Sequence, residues 1–170
     1  KSSDAAQASL RELQRFAAET PFEFTQVTDA SKRLLAYGYT AKELIPTLRL
    51  VGDAAGSLGL DAGGLNRIIV AFGQIRSKAK LETQDLRQLA EVGIPVFETL
   101  QRKLGLTAEE VANIGKAGID SRRGLAAIAE GMREAFGGGM EAQSKTMAGI
   151  ISNLGDLWSQ FLSNVEGTGL

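Results

Sequence analysis

Acid–base work is the chemistry this sequence comes nearest to offering. Glu109, Glu110, Glu130, Glu134 and Glu141 could each be cast as the general acid of a glycan-cleaving enzyme. That role needs a carboxyl whose pKa is raised by an apolar pocket, and a second group to stabilise charge. All five stand at helix starts or on polar helix faces, so a solvated surface is expected and no catalytic residue is assigned. Histidine and cysteine are both absent. Their absence removes Ser-His nucleophile pairs, thiolate chemistry and the common metal sites together, so neither a metal nor a cofactor is expected. The triplet Gly137-Gly138-Gly139 lacks the Lys-Ser/Thr pair of a phosphate loop and falls between helices, where it reads as a hinge or helix break.

Recognition of nucleic acid is the second chemistry to weigh. Glu110-Val111-Ala112, Gly118 and Ser121-Arg122-Arg123 have the order of a helix-turn-helix, whose second helix would present Arg122 and Arg123 to phosphates or bases. Against it, 19 basic and 20 acidic residues leave a net charge of −1, which gives no global field to gather a polyanion. Nucleic acid is therefore not an expected partner.

The elements that carry these residues are helices. Apolar residues make up 44% of the chain, enough for a core, while aromatics are only 6%, a balance that favours packed helices over a β-sandwich. Leu10, Leu13 and Ala17 line one face of a first segment that stops before Pro21. Phe24, Val27, Leu34 and Tyr37 mark a second segment, and Leu44, Leu48, Val51, Ala55 and Leu58 a third. Leu65, Ile68, Ile69, Phe72 and Ile75 mark a fourth. Shorter helices are predicted at 84–92, 95–104 and 108–117, and a longer one at 121–136. Pro46 lies deep in the third segment, where a turn, kink or restart is expected.

The punctuation repeats. Gly38, Gly59, Gly105 and Gly118 are each followed by an apolar residue and then by Thr40, Asp61, Thr107 or Asp120. The glycine is expected to end one helix in the left-handed conformation, and the Thr or Asp to cap the next. Thr40 with Glu43 and Thr107 with Glu110 read as capping boxes. Gly93-Ile94-Pro95 is a variant with proline at the first helical position. Such corners predict an all-α fold, a compact array of about eight or nine helices. After the glycine triplet comes a longer amphipathic helix, about Met140 to Val165, whose apolar stripe includes Met147, Ile150, Ile151, Leu154, Leu157, Trp158 and Phe161. That stripe is broader than a surface helix needs, so it packs across the array or continues into a bundle or coiled coil. Leu154, Leu157, Trp158 and Phe161 are the candidate partner-binding residues. Glu141, Lys145 and Asp156 interrupt the helix, so it does not span a membrane as one apolar stretch. Interfacial contact through Trp158 and Phe161 is the lesser expectation beside a partner helix, including a second copy of the chain. Lacking an initial Met, the chain reads as a segment of a longer polypeptide.

Four stretches resemble one family. They are Thr20-Pro21-Phe22-Glu23-Phe24 with Leu34-Leu35-Ala36-Tyr37-Gly38; Leu50-Val51-Gly52-Asp53-Ala54-Ala55-Gly56; Asp85 through Pro95; and Gly138 through Thr146 with Ser152-Asn153-Leu154-Gly155-Asp156. In this order and spacing they are similar to the N-terminal-region helical domain of phage and prophage tail tape-measure proteins. The turn Ser77-Lys78-Ala79-Lys80 departs from the family pattern, which often has glycine there. The resemblance implies a structural role without catalytic residues, in tail assembly, tail length determination and genome ejection. It also implies tail tube proteins, tail assembly chaperones and tail tip proteins as partners, with membrane contact during infection. The implied location is the lumen of the virion tail, reached from the host cytoplasm. The expected division is an N-terminal helix at 1–20, a globular domain at 21–138, and an amphipathic helix at 139–170 leading to a rod. As one straight helix the chain would span about 250 Å, but its corners fold it back, so it is expected to be a head or anchor and not the ruler itself. The alternative is a helical adaptor or a helix-turn-helix DNA-binding domain of another assembly.

Overall fold

The structure, a computed structural model, describes residues 2–167, with side chains for 7–155, 157 and 158. Ten α-helical segments follow one another: α1 Ser2–Ala18, α2 Phe24–Ala36, α3 Ala41–Ser57, α4 Ala62–Ser77, α5 Thr83–Glu91, α6 Val96–Leu104, α7 Ala108–Ala112, α8 Ile114–Ala117, α9 Ser121–Phe136 and α10 Gly139–Gly167. The fold is all-α. Counting α7 and α8 as one broken helix gives nine. The break falls at Asn113, whose side-chain amide donates to the Glu109 carbonyl at 3.2 Å and so competes with the helical ladder. The sequence pattern predicts one helix over that stretch, because apolar spacing does not register a side chain bonding its own backbone.

At the centre, α3, α4 and α9 pack on one another; α1 and α2 cover one side, α5 and α6 the other, and α10 leans on α3. Val51 and Ala55 of α3, Ile68, Ile69, Phe72 and Ile75 of α4, and Ile128 and Met132 of α9 are buried in the shared core. The apolar periods of the third and fourth segments thus point inward. The first segment differs from expectation: Leu13 and Phe16 are the buried pair, and Leu10 is exposed. Helix α3 runs through Pro46 without a turn or restart. Only the amide of Pro46 is lost to the ladder, and Pro46 and Lys42, whose carbonyl it would have met, are both exposed to solvent.

The corners are built from glycine. Gly38, Gly59, Gly93, Gly105 and Gly118 all have φ between +63° and +98°. At Gly38 the Tyr39 N–H donates back to the Leu34 carbonyl at 3.1 Å and the Gly38 N–H to Leu35 at 2.9 Å, the paired bonds of a Schellman turn. Nothing lies within 4 Å of where its Cβ would be. An alanine there carries only the left-handed backbone penalty, about 1–2 kcal/mol. Leu60 and Ile94 make the same long bond, to Ala55 at 2.8 Å and Leu89 at 3.1 Å.

Each corner hands over to a cap. The Glu43 carboxylate accepts from the Thr40 N–H at 2.7 Å and from its hydroxyl at 2.8 Å. Thr107 and Glu110 close both halves of their box, at 2.8 and 3.2 Å. Asp61 accepts from the Gly64 amide at 2.8 Å, and Asp120 from the Arg123 amide at 3.0 Å. Gly93-Ile94-Pro95 leads into α6 with Pro95 at its N-cap, one place before the expected first helical position.

Candidate interaction surface

The carboxylates lead away from catalysis. Glu134 pairs with Arg102 at 2.8 Å and with Lys103, and Glu130 pairs with Lys103 at 2.6 Å, tying α9 to α6. Glu141 pairs with Lys145 at 2.8 Å. Hydrogen bonds from Lys103 and Arg102 hold the Glu134 carboxyl below the ordinary range; Lys145 does so for Glu141, and the Thr107 backbone and hydroxyl for Glu110. A general acid needs the opposite shift. Glu109 is exposed at the start of α7. Among the described residues no group of three or more Asp or Glu could hold a metal ion.

The helix-turn-helix order is present, and its second helix packs one face on the array. Ser121 is buried and its hydroxyl donates to the Lys78 carbonyl, while Gly124, Ala127, Ile128 and Met132 are buried against the array. Arg122 and Arg123 are exposed on its first turn.

A polar cluster that local patterns do not reveal links α2, α3 and α4. The Arg76 guanidinium reaches both Glu43 oxygens at 2.9 and 3.2 Å and the Gly38 carbonyl at 3.1 Å, and stacks over the Tyr39 ring with 4.1 Å to its centroid. Hydrogen bonds from the Thr40 backbone and side chain, then from Arg76, hold the Glu43 carboxyl low. Burial pushes the Tyr39 phenol up to about 12 from 10.0, and its hydroxyl has no hydrogen-bond partner among the described residues. Because the folded-state pKa is raised, stability is full below the ordinary phenol pKa and is lost as pH climbs from 10 towards 12. Two pKa units correspond to about 2–3 kcal/mol at most. Tyr39→Phe is expected to cost nothing at pH 7, or to gain up to about 1 kcal/mol, and to flatten the alkaline decline. Urea midpoints at neutral and strongly alkaline pH check it; an equally steep decline in the phenylalanine variant would refute the assignment to Tyr39.

The surface that asks for a partner is α10. Its base is held hard on α3: Gly139 and Met140 are buried, and the Met140 N–H donates to Asp53 Oδ1 at 3.2 Å. Ser57 Oγ donates to the Phe136 carbonyl at 3.3 Å. Gly138, at φ +84°, turns the chain into this seat. Beyond it, Met147, Ile150, Ile151, Leu154, Leu157 and Trp158 are 48–67% exposed. Each forgoes much of the roughly 1.5–3 kcal/mol that full burial of such a side chain supplies. Met147 with Leu154, Ile150 with Leu157, and Ile151 with Trp158 are pairs seven residues apart, so the stripe repeats on a heptad. Of the candidate partner-binding residues, Leu154, Leu157 and Trp158 therefore share one exposed face. The Phe161 side chain lies outside the described residues. Among the described residues no helix is long and apolar enough to cross a membrane.

A family model described as tape measure protein matches residues 1–167. The chain is 30% identical over 149 residues to the Mu-like prophage FluMu protein gp42 of Haemophilus influenzae, an alignment covering 86% of this chain and 23% of that relative. The chain thus spans about a quarter of the length of the curated relative it matches. No solved structure matches it.

Proposed function

The chain belongs to the tape measure protein family, structural proteins of phage tails, and from that premise we propose that it is the folded head from which a tail-length ruler departs. In this reading residues 21–138 form the anchoring body, 1–20 lead into it, and 139–170 direct the chain towards a helical rod in the tail lumen. The five glycine corners and four capping residues hold that body. The observation that carries the reading is the exposed heptad stripe on α10, raised from a base fixed on α3. Such a stripe fits a partner helix, and a second copy of the same helix fits it well. Thr146 and Asn153, next to the stripe, are uncharged, so identical helices meet without like-charge repulsion there. Tail tube, chaperone and tip proteins are the further partners this role brings. Passage through the host envelope ahead of the genome, with membrane contact, is the finer step the same role allows.

Two measurements test it. Deleting this segment from the phage gene is expected to block tail assembly or tip attachment while length control stays with the rest of the chain. Normal tails shortened in proportion to the residues removed would sink the anchor role. Ile151→Glu with Leu154→Glu is expected to weaken self-association by at least about a hundredfold in sedimentation equilibrium, since two burials of roughly 1.5–3 kcal/mol each are lost. An unchanged sedimentation profile would remove the stripe as the contact.

A further inference from the structure

A second surface lies away from the α10 stripe and is independent of it. A cleft of about 680 Å³ opens between α9 and the wall formed by α3, α4 and the corner at Gly38. On the α9 side it is lined by Arg122, Leu125, Ala126, Ala129 and Arg133. These positions recur every three or four residues, so they form one helical face, with the two arginines at its ends. Arg122 and Arg133 are eleven residues apart, roughly 16 Å along the helix. Both are exposed, and no ion pair to either occurs among the described residues.

The charge balance of the cleft is positive. Among the described residues lining it, Glu43 is the one carboxylate, and both its oxygens are taken by Arg76 from the facing wall. The carboxylates of α9 itself, Glu130 and Glu134, bond the cations of α6. Asp120 caps α9 through the Arg123 amide. Three arginines against one glutamate leave the cleft at +2. Arg122 also sits in the first turn of α9, where a cation works against the helix dipole, so local helix stability does not account for it.

We propose that this cleft receives an acidic amphipathic helical segment of a partner chain. Small apolar side chains rest on Leu125, Ala126 and Ala129, and carboxylates about three turns apart reach Arg122 and Arg133. The length of the face sets the length of the partner: Arg122 and Arg133 stand about three helical turns apart, so a segment of at least about three turns is needed to reach both. A DNA duplex fits less well, because readout needs a projecting helix and this face of α9 lies in a concavity.

The test uses the whole chain and a fluorescein-labelled alanine–leucine peptide of about four helical turns with two glutamates eleven positions apart. A second peptide carries glutamine at both places. By anisotropy at about 0.15 M salt, the acidic peptide is expected to bind at least about tenfold tighter than its glutamine counterpart. Arg122→Glu with Arg133→Glu is expected to abolish that advantage, while Arg123→Glu, exposed but off the cleft, changes affinity by less than about twofold. Circular dichroism checks that the variants fold, and Arg122→Gln with Arg133→Gln gives the same reading should the reversals not fold. Equal binding of both peptides, an Arg123→Glu loss as large as that of the pair, or displacement of the peptide by duplex DNA would overturn the proposal.

Discussion

Alanine at Gly56 or Gly139 is expected to destabilise the protein by about 3 kcal/mol, at the upper end of what overpacking costs. A Cβ on Gly56 would stand 2.8 Å from the Gly139 carbonyl oxygen and 2.9 Å from its carbon. A Cβ on Gly139 would run into the Asp53 carbonyl and Ser57. Most of these are backbone atoms, which no rotamer change moves aside, so the helices must part. Gly52 lies one turn earlier on α3, and there a Cβ meets mainly the end of the Met140 side chain, which is flexible. The same substitution at Gly52 is expected to cost only about 1 kcal/mol. Gly149 faces open space within α10, so alanine there should stabilise by about 0.5–1 kcal/mol. Urea denaturation of the four variants gives the order directly. Equal effects at Gly56 and Gly149 would mean that α10 is not seated on α3 as described.

That seat also shows where sequence reasoning stops. The corner glycines were legible because their reason is local: a helix must end, φ must be positive, and a capping oxygen follows at fixed spacing. The apolar periods of α3 and α4 were legible for the same reason, since one helix face must be buried whatever it meets. Gly52, Gly56 and Gly139 have a tertiary reason, the backbone of another helix, and nothing within a few residues announces it. The Arg76–Glu43–Tyr39 cluster likewise joins residues more than thirty positions apart. Of the interaction surface, the breadth of the stripe on α10 could be read in advance. The cleft against Arg122 and Arg133 could not, because its opposite wall comes from α3, α4 and the corner at Gly38. Arg122 in the first turn of a helix was the available signal, and it pointed as readily to DNA.

The turn Ser77-Lys78-Ala79-Lys80 carries the other large expected effect. Lys78 follows α4, and its ammonium reaches Asp85 at 2.8 and 3.0 Å and Glu82 at 2.6 Å. Asp85 is only 2% exposed. Hydrogen bonds donated to Asp85 and then to Glu82 raise the Lys78 pKa, so its contribution is full below its ordinary pKa and is lost as pH climbs from there through the raised value. The same turn is stitched to the start of α9: Leu81 N–H donates to the Ile119 carbonyl at 2.8 Å, Ser121 N–H to Ala79 at 3.1 Å, and the Ser121 hydroxyl to Lys78. These bonds form a small antiparallel bridge with Lys80 opposite Asp120. Asp85→Ala is expected to cost about 2–4 kcal/mol, somewhat below the loss for a fully buried pair because Lys78 is a third exposed. Replacing both partners, Lys78→Met with Asp85→Leu, should recover most of that, since the larger penalty comes from stranding one charge. A double-mutant cycle measures the coupling. If Asp85→Ala alone costs under about 0.5 kcal/mol, the pair does not hold the corner. In that case the backbone bridge and the burial of Leu81 beneath Gly124 hold the α4–α5 turn against α9 by themselves.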